Sequence, residues 1–143
     1  MSLENIMKIH IVDKAEDHVQ GYEKVEITED GFNLSKYSDN ECSFILASDC
    51  LDLVEYDNIQ NSILSLRKKM RIGSTLVVGG TDIRLLARAI TSGSIDTATA
   101  NLLIRHKKSC SDVNRVSKIL TELGLKIVTT KVSGLHYEIE ASR

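Results

Sequence analysis

The apolar positions of this chain change period along its length, and the changes mark its elements. Short runs rich in β-branched residues predict strands at Lys8–Val12 and at 22–27, and the run Phe44-Ile45-Leu46-Ala47 predicts a third, buried strand. Beyond Asp49 the spacing becomes helical. Ile59, Ile63, Leu66 and Met70 share one face, with Asp57 placed to accept from the free amides of the first turn and Gly73 placed to stop the helix. Residues 75–78 read as a strand ending in Gly79-Gly80, and Thr81 or Asp82 caps a second helix carrying Leu85, Leu86, Ala89 and Ile90. The stretch 94–105 is compatible with a helix but only weakly amphipathic. Ser111 opens the most regular helix, with Val113, Val116, Ile119, Leu120 and Leu123 on one face and Gly124 as its stop. Two final strands, 126–131 and 136–141, flank Ser133-Gly134, a turn short enough for an antiparallel hairpin.

This alternation predicts an α/β fold: a Rossmann-like three-layer sandwich whose mainly parallel sheet ends in a C-terminal antiparallel hairpin. The N-terminal part is shortened. Parallel neighbours ordinarily need a dozen or more connecting residues, and the segment 13–21 offers fewer, without a helical pattern. The piece between Ile27 and Asn33 is also too short for a full third strand with its turns. No proline and no Gly/Ser-rich linker divides the chain, so residues 1–143 read as one domain. In such sheets ligands sit beyond the carboxyl ends of the strands, where the strand order reverses. The positions to inspect are therefore 12–14, 26–29, 48–50 and 79–82.

Composition narrows the function classes. With 143 residues, 42% hydrophobic and 27% charged, the chain is long enough for a real core. A formal net charge of -2 with both signs interspersed gives no strong nucleic-acid signal. No apolar run approaches the ~20 residues of a membrane span, and no basic-then-apolar leader opens the chain, which points to a cytoplasmic protein with no membrane association. Cys42, Cys50 and Cys110, and His10, His18, His106 and His136, are scattered without metal-ligand spacing, so no metal site is expected. Neither a nucleophile elbow nor a phosphate-binding loop is present. The basic tract 67–71 is read as cations offsetting the negative end of a helix dipole.

The order of the pieces resembles the class I S-adenosylmethionine-dependent methyltransferases, especially their small members. The segment 38–54, with its acidic turn, the strand Phe44-Ile45-Leu46-Ala47 and the following Ser48-Asp49-Cys50-Leu51, is similar to that family's stretch around its fourth strand. Residues 64–78 resemble its next helix, turn and fifth strand, with Ile72 in place of the usual proline and Ser74 in place of the second glycine. Residues 82–96 and the closing helix and hairpin match the remainder.

That resemblance implies S-adenosylmethionine as cofactor and methyl transfer to an unknown acceptor. It places cofactor contacts at Val12, Asp13, Glu26, Asn33 and Ser48, with Asp49 as the catalytic residue, acting as a base or orienting a nucleophile. The family has glycines after its first strand, which let the backbone approach the cofactor. Here Val12, Asp13 and Lys14 stand there, a degenerate form of the motif. Valine is stiff, and Asp13 sets a carboxylate near the cofactor's own unless Lys14 compensates. Glu26 corresponds to the acceptor of the ribose hydroxyls and Asn33 to the reader of the adenine. Two function readings follow: a minimal methyltransferase, or a catalytically inactive methyltransferase-fold module for binding a protein partner or for assembly. In the second reading one sheet face is left partly bare, and a homodimer or larger homo-oligomer would cover it.

Overall fold

The structure is a computed structural model that describes residues 6–13, 16–28 and 31–143; Lys14 and Glu29, both named above, lie outside the described residues. The strands are β1 Lys8–Val12, β2 Glu23–Thr28, β3 Gly31–Phe32, β4 Cys42–Ala47, β5 Met70–Thr81, β6 Lys126–Ser133 and β7 His136–Ser142. The helices are α1 Ile59–Lys69, α2 Ile83–Ser92, α3 Thr97–Ile104 and α4 Val113–Glu122. One sheet holds all seven strands in the order β3-β2-β1-β4-β5-β7-β6. Strands β2, β1, β4 and β5 run parallel, while β7 enters antiparallel between β5 and β6. The mainly parallel sheet with its C-terminal hairpin is thus as the alternation predicts.

Side chains of a strand alternate between faces, and the register shows which face is the core. Ile9, Ile45, Leu76 and Ala141 are successive cross-strand neighbours and all are 0% exposed. Ile63 and Leu66 of α1 and Val116 and Leu120 of α4 belong to the same buried cluster, so both helices cover this face. Each buried Leu or Ile contributes about 2 kcal/mol, which makes this row the anchor of the sheet. The next row, His10, Leu46, Val77 and Glu140, lies on the opposite face.

On that opposite face the β1–β2 link stands where a crossover helix would pack. The Val19 amide donates to His10 Nδ1 at 3.0 Å. The Tyr22 ring meets His10 and Phe44 edge-on, at centroid distances of 6.4 and 5.8 Å. Among the described residues the link contains no helix. The third strand is reduced to two residues that turn back antiparallel on β2.

Three local expectations are corrected. Asn58, not Asp57, occupies the N-cap of α1, and Asp57 belongs to the 3-10 turn before it. Gly73 does not stop that helix. Extended backbone begins at Met70, and Gly73, at φ +84°, lies where the β4–β5 register shifts, a bulge that needs a residue without Cβ. The cap of α4 is Asp112, whose carboxylate accepts from the Arg115 amide at 2.8 Å; Ser111 is buried beside it.

Candidate functional site

Strands β1 and β4 are neighbours, yet the chain leaves them toward opposite edges of the sheet, which makes the gap between their carboxyl ends the switch point. A cleft of about 340 Å³ opens there. The strand ends contribute Asp13 and Asp49, and the link contributes Glu16. Leu53 and Asp52 line it from the 3-10 turn after β4, and the far wall is Leu102, Leu103, His106 and Lys107, from α3 and the segment after it. Acids gather on the strand side and apolar and basic groups on the helix side.

Asp52 fixes this geometry. Its carboxylate accepts from the Thr81 amide at 2.8 Å, from Thr81 Oγ1 at 2.7 Å and from Lys107 Nζ at 2.9 Å. Its backbone carbonyl accepts from the Lys108 amide at 2.8 Å. The pair is sheltered, with the two side chains 19% (Lys107) and 8% (Asp52) exposed. Three segments, the turn after β4, the end of β5 and the segment after α3, thus meet on one buried anion whose lone pairs are satisfied. Space for it requires glycine: a Cβ on Gly80 would lie 2.7 Å from Asp52 Oδ1, and one on Gly79 would collide with the carbonyls of Tyr137 and Ser48.

Asp82 makes a second junction. As N-cap of α2 it accepts from the amides of Arg84 at 2.8 Å and Leu85 at 3.2 Å, and its other oxygen accepts from the Val113 amide of α4 at 3.0 Å. One carboxylate thus satisfies free donors of two helices.

Asp49 stands at the cleft mouth with its Oδ1 3.7 Å from His136 Nδ1. Partial desolvation raises its carboxyl above the ordinary value, the His136 ring pulls it back, and Asp52 adds to the rise. A carboxylate lifted this way is a stronger base.

The expected site residues separate. Asp13 and Asp49 share the switch-point cleft. Val12 is buried at 4% exposure, on the face opposite the main core, and Ser48 presents its carbonyl to Gly79. Glu26 and Asn33 line another groove, of about 330 Å³, between β2 and the segment that returns along it. Asn33 Oδ1 there accepts from Ser35 Oγ at 2.9 Å. Asp52, Thr81 and Lys107 escape sequence reading because their partners lie 29 and 55 residues away; the pair Gly79-Gly80 is the visible trace of the contact. The three cysteines are free, and burial pushes the Cys42 thiol up to about 11. Among the described residues no cluster has the makings of a metal site, and no helix is long and apolar enough to cross a membrane.

No family model and no curated protein matches the sequence. Solved structures do. An S-adenosylmethionine-dependent methyltransferase of Archaeoglobus fulgidus is similar at TM-score 0.63 and 14% identity, over 98% of this chain and 87% of that one. A protein of Pyrococcus horikoshii is similar at TM-score 0.62 and 14% identity, over 85% of this chain and 59% of that one. A Methanococcus maripaludis protein described as a putative S-adenosyl-L-methionine-dependent methyltransferase is similar at TM-score 0.53 and 16% identity, over 85% and 54%. The chain thus spans little more than half of the last two proteins. Strand order, reversed last strand and these likenesses agree: the chain has the Rossmann-like fold of the class I S-adenosylmethionine-dependent methyltransferases.

Proposed function

We propose that the switch-point cleft binds S-adenosylmethionine and that the protein transfers its methyl group to an acceptor. The observation that carries this reading is the place of the cleft, between Asp13 after β1 and Asp49 after β4. Its volume of about 340 Å³ suits a small ligand. Its donor set fits the cofactor's chemistry. Asp13 and Glu16 face a cationic or hydroxyl-bearing group, the His106 ring can donate to an anionic one, and Leu53, Leu102 and Leu103 give a flat base an apolar wall. The degenerate glycine motif does not close the site, because Val12 is buried and does not line the cleft and, among the described residues, no helix follows β1. When bound, the cofactor supplies an electrophilic methyl. Asp49 then accepts the proton that the acceptor loses. Calorimetric titration with S-adenosylmethionine tests this. Micromolar affinity that falls about tenfold or more in Asp13→Ala supports it, and binding no tighter than millimolar removes it.

A second reading, a catalytically inactive module for binding or assembly, draws on a different observation: Glu26 and Asn33 open onto a groove apart from Asp13 and Asp49. In that reading the sheet face carrying Phe44 and Leu46 mediates self-association. Sedimentation at high concentration distinguishes it, since a strict monomer contradicts assembly through that face.

A further inference from the structure

The whole-chain charge of -2 conceals a strong segregation. Residues 83–108, the α2–α3 segment between β5 and α4, carry Arg84, Arg88, Arg105, Lys107 and Lys108 against Asp96 alone, a net charge of +4 that leaves -6 on the rest of the chain. Lys107 is occupied by Asp52. Arg84, Arg88, Arg105 and Lys108 are exposed, and among the described residues no carboxylate pairs with them. They are also not distant from the cleft, because Arg105 and Lys108 flank the lining residues His106 and Lys107, and α2 starts at the end of β5.

We infer that this segment is a docking surface for a single-stranded nucleic acid, whose phosphates lie on its basic side chains while one unstacked base reaches the cleft mouth beside Asp49. The role of that base as methyl acceptor rests on the function proposed above; the surface does not. Two opposite fields meet here. A ligand must offer anions to Arg84, Arg88, Arg105 and Lys108, yet nothing anionic to Asp13, Glu16 and Asp49 on the strand side of the cleft. A nucleotide divides its charge in this way, with the anion on the phosphate and uncharged amino donors on the base that a carboxylate can accept from. An acidic peptide carries its anions at the side-chain tips and would drive them against the same three acids.

The segment contains no Phe, Tyr or Trp, and His106 is its one aromatic ring, so base stacking is limited and attraction falls mainly to the phosphates. Four cations on a single strand give a salt slope of about -3, or a loss of about 50-fold between 50 and 200 mM salt. In the transfer itself, the bond from the cofactor's sulfur to its methyl carbon breaks as a bond to the base's amino nitrogen forms, and the displaced proton passes to Asp49.

Fluorescence anisotropy with a labelled 20-nucleotide mixed-sequence strand, as RNA and as DNA, tests the surface without any cofactor. The expected result is micromolar binding with that salt dependence. The variant Arg84→Ala/Arg88→Ala/Arg105→Ala/Lys108→Ala should weaken binding at least tenfold and flatten the slope, while retaining the parent's circular dichroism and melting temperature. Absence of strand binding at 50 mM salt, an unchanged slope in the variant, or tighter binding of a polyglutamate peptide of equal charge would overturn the inference. Failure of S-adenosylmethionine to bind, with strand binding intact, overturns the cofactor reading and leaves this surface standing.

Discussion

The carboxyl ends of β1 and β5 face the same end of the sheet but are built in opposite ways. At β1 the backbone leaves through Val12 and Asp13, without a glycine and, among the described residues, without a following helix, and Asp13 borders the cleft. At β5 it leaves through Gly79-Gly80-Thr81-Asp82, where every position is committed. Gly79 yields to two carbonyls, Gly80 to Asp52, Thr81 donates twice to that carboxylate, and Asp82 caps α2 and accepts from the first amide of α4. At this strand end glycine is used where carbonyls and an internal anion approach the backbone. The difference teaches that one physical requirement, room beside a strand end, is met by small residues after β5 and, after β1, by a link that holds no helix among the described residues.

The largest test of that contrast is Gly79→Ala. Its Cβ meets backbone oxygens on two sides, which cannot swing away, so urea denaturation should show a loss of about 3 kcal/mol or more. Asp13→Ala, at the exposed end of β1, should stay within about 0.5 kcal/mol. Equal losses would break the comparison.

Asp52→Ala comes next. It leaves the sheltered Lys107 ammonium and the Thr81 amide without their acceptor, at a cost of about 3 kcal/mol, and it should also weaken ligand binding by releasing the wall on which Lys107 sits. A stability change under about 1 kcal/mol in the same denaturation experiment would mean that the three segments do not depend on this anion.

The smallest effect concerns the link that replaces the first helix. Desolvation, and then the charge of His18, lower the pKa of His10 below its ordinary value. The Val19 amide needs the unprotonated Nδ1 as acceptor. The folded state therefore binds this proton less readily than the unfolded chain, so the stabilisation is present above the unfolded value of about 6.5 and is lost as pH falls through the folded one. Between pH 7.5 and 5 the link should loosen, seen as faster amide exchange at Val19, with little change in global stability. The β5 end should show no such acid response in its Thr81 amide. Parallel loosening of both would erase the distinction.

Much of the fold could be read from the chain, for identifiable reasons. The first strand, the α4 face and the closing hairpin stand on strict periodicity and on Gly124 and Gly134, whose positive φ values suit the turns they make. The short β1–β2 connection and the stunted third strand were legible from length alone. Gly73 was not, because a glycine that ends a helix and one that bulges a strand look alike until the partner strand is known. The site was legible only in part. Asp13 and Asp49 meet because both follow parallel strands, which the alternation implies. The pairing of Asp52 with Thr81 and Lys107 depends on how three loops fold back on one another, and no local pattern encodes it. The basic segment was hidden differently, because a net charge averaged over the chain cancels two opposed regions.

The most direct measurement is the electron density of S-adenosylmethionine in crystals of this protein grown with the cofactor at saturating concentration. The account predicts the cofactor at the switch point, between Asp13 and Asp49 and against Leu102 and Leu103. Density lying instead in the groove beside Glu26 and Asn33, or a switch-point cleft filled only by water, would contradict it.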